Sequence, residues 1–385
     1  MNKLEYNVGC VTRRSIPLWP LLTLLADMFG MAVLKSRSVL EAIETVIWAA
    51  NEGLIEATGA HDCDLVPWDP DNPEDDLNEQ GPVHQLLIEI REKLQGANVA
   101  FHTMTCNLHA HPLFRKGGLT NPDKKIRDLA KAKVKRSIRI GALLGAEVFV
   151  YWVARDGWIV AIKTNFGMVY LWIAEGLNEA RAYIKENDFT NYKYGSIEAK
   201  PNEPTGHSYI PTAGHAAGFI TSPLIADSAF WMENPELRQH EGMAMLDAVT
   251  CVAYLVNVER LGFLHLGNQI MGHEDNDFEP LVGPEGLKET ANMFSTLQLL
   301  GWRGVVEYDC HMLREDADPD DSAGSMKQFV ERCSTGLAIS LSLADRLNES
   351  VAEISGMTAA GADLHSIIRM CGLDKTEIAT KARRA

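Results

Sequence analysis

The stretch Ile197-Glu-Ala-Lys-Pro-Asn-Glu-Pro204, followed at once by Thr-Gly-His-Ser-Tyr-Ile-Pro-Thr-Ala-Gly-His215, puts a charged pair at its start and runs into a Pro-punctuated loop. Read as a strand, it carries Glu198 and Lys200 two residues apart, and side chains at i and i+2 of a strand share one face. A carboxylate and an ammonium so placed at a strand end offer a cation ligand and a positive charge to one small substrate. A lone Glu-x-Lys is also an ordinary surface ion pair, so its meaning depends on what surrounds it.

Outward from this segment, strand-like and helix-like stretches alternate along most of the chain. The apolar runs Ala146-Glu-Val-Phe-Val-Tyr-Trp152, Gly262-Phe-Leu-His-Leu266 and Gly304-Val-Val-Glu-Tyr-Asp309 are bounded by Gly and polar residues. Between such runs lie stretches of helical period, among them 124–144, 171–186 and 285–300. This alternation predicts parallel strands joined by crossover helices, most commonly a closed eight-stranded barrel. The expected fold is α/β: a (β/α)8 TIM barrel as catalytic domain over 1–321, then a helical C-terminal extension over 322–385 for subunit contacts. The strand signal stops near residue 322, and 326–346 reads as a helix.

The chain has 385 residues, 46% hydrophobic and 23% charged, a globular composition. Its net charge of -16 repels a phosphate backbone and argues against a nucleic-acid partner, while suiting an acidic pocket for divalent cations. Seven Cys, an odd number without CxxC spacing, indicate reduced thiols and a cytoplasmic location. The apolar run 16–34 after Arg13-Arg14 is interrupted by Pro17, Pro20 and Asp27, so it reads as a loop and helix of the domain. It suits neither a secretory leader nor a membrane span.

In a barrel of this class the functional side chains sit at the C-terminal strand ends. Several runs here end in metal-capable residues: His61 with Asp64, Glu198, Glu236 with His240, His265, Asp275 with Asp277, and Asp309 with His311. Hard oxygen donors dominate over imidazoles, which suits Mg²⁺ or Mn²⁺ better than zinc. One Asp at a strand end is commonly a helix cap; a series of such ends is not explained that way.

In order and spacing these segments resemble the xylose (glucose) isomerase family over nearly the whole chain. His61-Asp-Cys-Asp-Leu-Val-Pro67, Asn107-Leu-His-Ala-His-Pro-Leu-Phe-Arg-Lys-Gly-Gly118 and Val150-Tyr-Trp-Val-Ala-Arg-Asp-Gly157 carry the likeness alongside the segment around Glu198. The resemblance implies a ring-opening His61 held by Asp64, Lys200 at the substrate carbonyl oxygen, and two divalent cations per subunit (Mg²⁺, or Mn²⁺/Co²⁺). Glu198, Glu236, His265 and Asp309 fall on the first metal site, and Glu236, as bridge, with His240, Asp275 and Asp277 on the second. Trp19, Thr105, His109 and Trp152 fall on the sugar pocket, and Phe29 on a residue lent to a neighbouring subunit. A homotetramer is the assembly implied.

The chain also departs from the family. His265 stands where an aspartate ligand is expected, and His109 where a Phe walls the sugar. Glu236 and His240 are one residue further apart than expected, and Gly267 and His311 replace polar residues. The expected reaction is conversion of D-xylose to D-xylulose, and of D-glucose to D-fructose, by ring opening and a 1,2-hydride shift. Two other readings stay open: a metal-dependent sugar epimerase, which needs a base on each face of the carbon, and a catalytically impaired sugar-binding relative. For His265 itself, ligation and a swing to an outer hydrogen bond are both open.

Overall fold

The structure is a computed structural model that describes residues 9–22, 33–237, 240–281, 286–349 and 351–366. Eight parallel strands alternate with helices: β1 (Val11–Pro17), α1 (Val39–Asn51), β2 (Ala57–His61), α2 (Pro82–Gly96), β3 (Ala100–Thr105), α3 (Lys124–Leu144), β4 (Val148–Trp152) and α4 (Val169–Glu186). They continue with β5 (Tyr194–Glu198), α5 (Ala213–Ile220), β6 (Trp231–Glu233), α6 (Ala248–Asn257), β7 (Leu264–Leu266), α7 (Gly286–Leu299), β8 (Gly304–Glu307) and α8 (Ser322–Glu349). This is the expected TIM barrel.

Closure of the sheet falls at Asn234-Pro235. β6 pairs with β5, while its continuation Glu236–Leu237 pairs with β7. Proline has no N–H to give a ladder, and the chain uses that interruption to pass from one neighbour to the other. Asn234 N donates to Ile197 O on one side, and His265 N donates to Pro235 O on the other.

Strand periodicity divides the interior into levels. Val148, Val150, Phe263 and Val305, with Tyr194 against them, form an apolar cluster separate from the main core. Two residues on from Val305 and Phe263 come Glu307 and His265, and two further on from Glu307 comes Asp309. The ladder register sets Ser15 beside Glu307, Glu307 beside His265, and His265 beside Glu236. Trp152 pairs with Glu198, and His61 with Thr105. The polar residues therefore lie toward the C-terminal end of the barrel.

The outer ring follows from amphipathic helices with local stop signals. Ser38 and Glu41 form a capping box on α1, Asp123 caps α3, and Gly145 closes α3 at φ 82°, a left-handed position that glycine adopts without strain. α8 begins at the residue where the sequence suggests an extension. Its buried face, Met326, Phe329, Val330, Cys333, Leu337, Leu341 and Ala344, joins the main hydrophobic core against α7 and α1. The run after Arg14 enters β1 and a 3-10 turn at Trp19–Leu22; Phe29 lies outside the described residues. No helix among the described residues is long and apolar enough to cross a membrane.

At the N-terminal end of the barrel Glu147 receives Arg13 through Nη1 and Nη2, Lys193 Nζ at 3.0 Å and His102 Nδ1 at 3.3 Å. Burial pushes this carboxyl up, but the donors from His102, Arg13 and Lys193 outweigh it and hold it well below the usual carboxylate range. A carboxylate depressed on folding contributes stability above its unfolded pKa and loses it as pH falls through the folded value. Glu147→Gln is expected to cost about 1 kcal/mol at neutral pH, the site being partly open to water. Urea melts at pH 7 and at about pH 4 should show the gap narrowing toward acid; a constant gap would count against it.

Candidate active site

The cavity at the C-terminal end of the barrel, about 320 Å³, is lined by Trp19, His61, Asp64, Thr105, His109, Trp152, Glu198, Lys200, Glu236, His240, His265, Asp275, Asp277 and Asp309. Every site residue expected from the sequence, other than Phe29, therefore reaches one space. Asn107 and His311 line it too.

At its wall His61 ends β2 and turns into the short helix Asp62–Leu65, which brings Asp64 back over it. Asp64 Oδ2 accepts from the His61 backbone N at 2.8 Å and lies 3.1 Å from His61 Nδ1. Burial disfavours charge on the His61 ring, yet the Asp64 charge raises its pKa above the ordinary imidazole value. The Trp19 ring sits 4.5 Å from His61, His109 5.7 Å and Trp152 6.3 Å, centre to centre. Below the turn, fully buried Asp62 pairs with Lys133 and accepts from the Asn107 N at 2.8 Å. This locks the loop that carries His109.

Across the cavity Lys200 pairs with Asp275, and its ammonium lies 5.4 Å from the Trp152 ring centre. Burial works against its charge, but Asp275 and Glu236 raise its pKa above the ordinary lysine value, so it stays protonated. His109 goes the other way: burial first, then the charges of His61 and Lys133, push it well below the usual range, and it is neutral.

The acidic residues fall into two groups of converging donors. Glu198, Glu236, His265 and Asp309 form one, Glu236, His240 and Asp275 the other, and within each group the donor atoms all lie within 4.8 Å of one another. Glu236 belongs to both. His265 Nδ1 is 3.1 Å from Glu198 and 3.0 Å from Asp309, so this ring edge faces the first group. The four-residue spacing of Glu236 and His240 still brings them together, with His240 Nε2 2.6 Å from Glu236. Asp277 lines the cavity outside the tight groups, its backbone at φ 49° and its carbonyl held by His311 N at 2.7 Å.

The electrostatics test whether cations fit here. Burial, with Asp309 and Asp275 nearby, pushes Glu236 up to about 8 although His240 pulls the other way. Burial and Asp275 push Asp277 well above the carboxylate range. His240 is carried up to about 10 by Glu236 against its own burial. The fold thus holds protons where carboxylates crowd, and a divalent cation replaces such protons on binding. Oxygen-rich donors with one imidazole in each group fit that role.

Sequence reasoning missed two buried supports. Asn234 Nδ2 holds Glu198 at 2.9 Å, and Glu307, wholly buried, reaches His265 Nε2 at 3.1 Å. For Glu307 the signal was present: an acid in mid-strand, two residues before Asp309.

No protein-family model matches the sequence. The xylose isomerase of Thermus thermophilus is 31% identical over 304 residues, 79% of this chain and 74% of the relative. The xylose isomerase of Thermus caldophilus matches with the same identity and coverage. Among solved structures an L-ribulose 3-epimerase aligns with a TM-score of 0.57 at 12% identity, covering 88% of this chain and 97% of that one. The D-psicose 3-epimerase of Clostridium cellulolyticum H10 gives 0.55 at 12%, covering 84% and 99%. Identity that low shows the shared barrel alone. The Thermus match, spanning most of both chains, shows more: this chain is a sugar-isomerising enzyme and belongs to the xylose isomerase family.

Proposed function

We propose that this chain interconverts an aldose and its ketose, D-xylose with D-xylulose and D-glucose with D-fructose, by ring opening and hydrogen transfer between C2 and C1. The observation that carries the reading is the meeting, in one cavity, of the His61–Asp64 pair, the Lys200 ammonium and two donor groups that share Glu236. Two divalent cations held by those groups, with Asp277 as a further ligand of the second, would supply Lewis-acid polarisation and templating of the sugar oxygens.

The chain's own side chains do the rest. Asp64 occupies His61 Nδ1 and so fixes the ring, leaving Nε2 to move the proton of the cyclic sugar. Lys200, kept charged by Asp275, answers the negative charge that develops at O1. Trp19, Trp152, Thr105 and His109 wall the sugar, and the indoles exclude water. An epimerase would instead need bases on both faces of one carbon; Glu198 and Glu236 are both committed to the donor groups.

We place the enzyme in the cytoplasm as a homo-oligomer, a tetramer by its resemblance. Phe29 from a neighbour would complete the pocket. Exposed Ile159, Ile162 and Phe166, on the loop after Trp158, offer apolar surface for a second copy.

Stripped enzyme reloaded with Mg²⁺, Mn²⁺ or Co²⁺ should convert D-xylose to D-xylulose; production of a C3 epimer without the aldose–ketose change would decide for an epimerase. Lys200→Met should lower turnover about 10²- to 10³-fold on any aldose. His61→Ala should lower it about 10²-fold on D-xylose, yet leave a three-carbon aldose that cannot close a ring nearly unaffected. Equal losses on both would remove ring opening from His61.

Imidazole in the first group favours later first-row ions over Mg²⁺. Activity is therefore expected to be higher with Mn²⁺ or Co²⁺ than with Mg²⁺, and His265→Asp should shift the ranking toward Mg²⁺. An unchanged ranking in that variant would show that residue 265 does not set the metal.

A further inference from the structure

Below the mouth of the barrel, Glu307 is enclosed on every side, with 0% exposure. It accepts Ser15 Oγ at 2.6 Å and Thr103 Oγ1 at 2.8 and 3.1 Å, and it faces His265 Nε2 at 3.1 Å. Room for it is made by Gly59: a Cβ there would stand 1.8 Å from Thr103 Oγ1 and 2.9 Å from Glu307 Oε2. Four strands, β1, β2, β3 and β8, thus build a pocket for one carboxylate. Two hydroxyls that donate to it, from Ser15 and Thr103, favour the charged, acceptor-only form.

The two ring nitrogens of His265 face opposite demands. Nδ1 is turned to Glu198 and Asp309 in the first donor group, and Nε2 to Glu307. A ligating imidazole has one lone pair and one N–H. An acceptor as well made as Glu307 takes the N–H.

We propose that Glu307 is a positioning residue that holds His265 in the Nε2–H tautomer and so makes Nδ1 the atom that binds the first cation. This rests on the metal-centre reading above. Glu307 also returns, one layer down, the negative charge that the neutral imidazole does not bring. An acceptor on the far nitrogen raises ligand basicity, and its removal typically weakens metal binding roughly 10- to 100-fold.

The test uses the full chain, stripped with EDTA and titrated with Mn²⁺ by calorimetry. Glu307→Gln should weaken the first site roughly 10- to 100-fold, and Glu307→Asp should lose less because it keeps the charge. In the His265→Asp background Glu307→Gln should not weaken binding, there being no imidazole left to orient; equal weakening in both backgrounds would mean a merely structural role and overturn the proposal. Should Glu307→Gln fail to fold, a structure of the unmodified protein with Mn²⁺ decides. Nδ1 of His265 on the ion supports the proposal, and Nε2 on the ion, or no contact, overturns it. If the unmodified protein binds no Mn²⁺, the metal-centre reading falls and takes this proposal with it. If it binds two ions and Glu307→Gln binds them as well, only the proposal falls.

Discussion

Like charge confined in a small space governs this molecule. Glu198, Glu236, Asp275, Asp277 and Asp309 line one cavity at the barrel mouth. Two unit charges 4 Å apart repel by about 4 kcal/mol at the effective dielectric of a protein site, and a domain's whole stability is of the order of 5–15 kcal/mol. Several such pairs cannot stand unanswered. Lys200 stands against Asp275, His240 against Glu236, and His265 between Glu198 and Asp309. What these cations leave uncompensated favours a proton on Asp277, which burial and the charge of Asp275 push well above the carboxylate range. A site that holds protons for this reason is already arranged to exchange them for divalent ions.

The barrel makes the crowding possible because its strands sort the interior by level. Apolar Val148, Val150, Phe263 and Val305 occupy one level, Ser15, Thr103, Glu307 and His265 the next, and the catalytic candidates the mouth. Each level supports the one above: a shift of one residue in β8 would turn Glu307 and Asp309 outward together. The position of Asp309 is also held from the side by the Trp19 indole, which donates to it at 2.8 Å. Pocket wall and donor group are thereby one construction.

Much of this was legible in the sequence, and what was not has a common cause. The helix at 124–144 was readable to the residue because a long amphipathic period has an Asp cap before it and a glycine after it. The three-residue strand Leu264–Leu266 was legible as an apolar run after a glycine, whereas Trp231–Glu233 is too short to announce itself by alternation and does not read as a strand. α8 read as something appended because no strand follows it, although its buried face closes the ring. Ligand candidates at strand ends could be picked out from the local pattern of a polar residue after an apolar run. Their supports could not: Asn234 on Glu198 and Glu307 on His265 are contacts between strands, and a single sequence does not state its register.

The same register explains why the departure at position 265 is tolerable. His265 and Glu307 are direct neighbours in the β7–β8 ladder. An aspartate at 265 would set a second carboxylate against Glu307 in a space closed to water, where one of the two would have to take a proton. A histidine there shares its N–H with Glu307 and turns its other nitrogen to the mouth. On the proposed reading, Glu307 supplies from beneath the negative charge that a neutral imidazole does not bring. The two positions are therefore best understood as one unit.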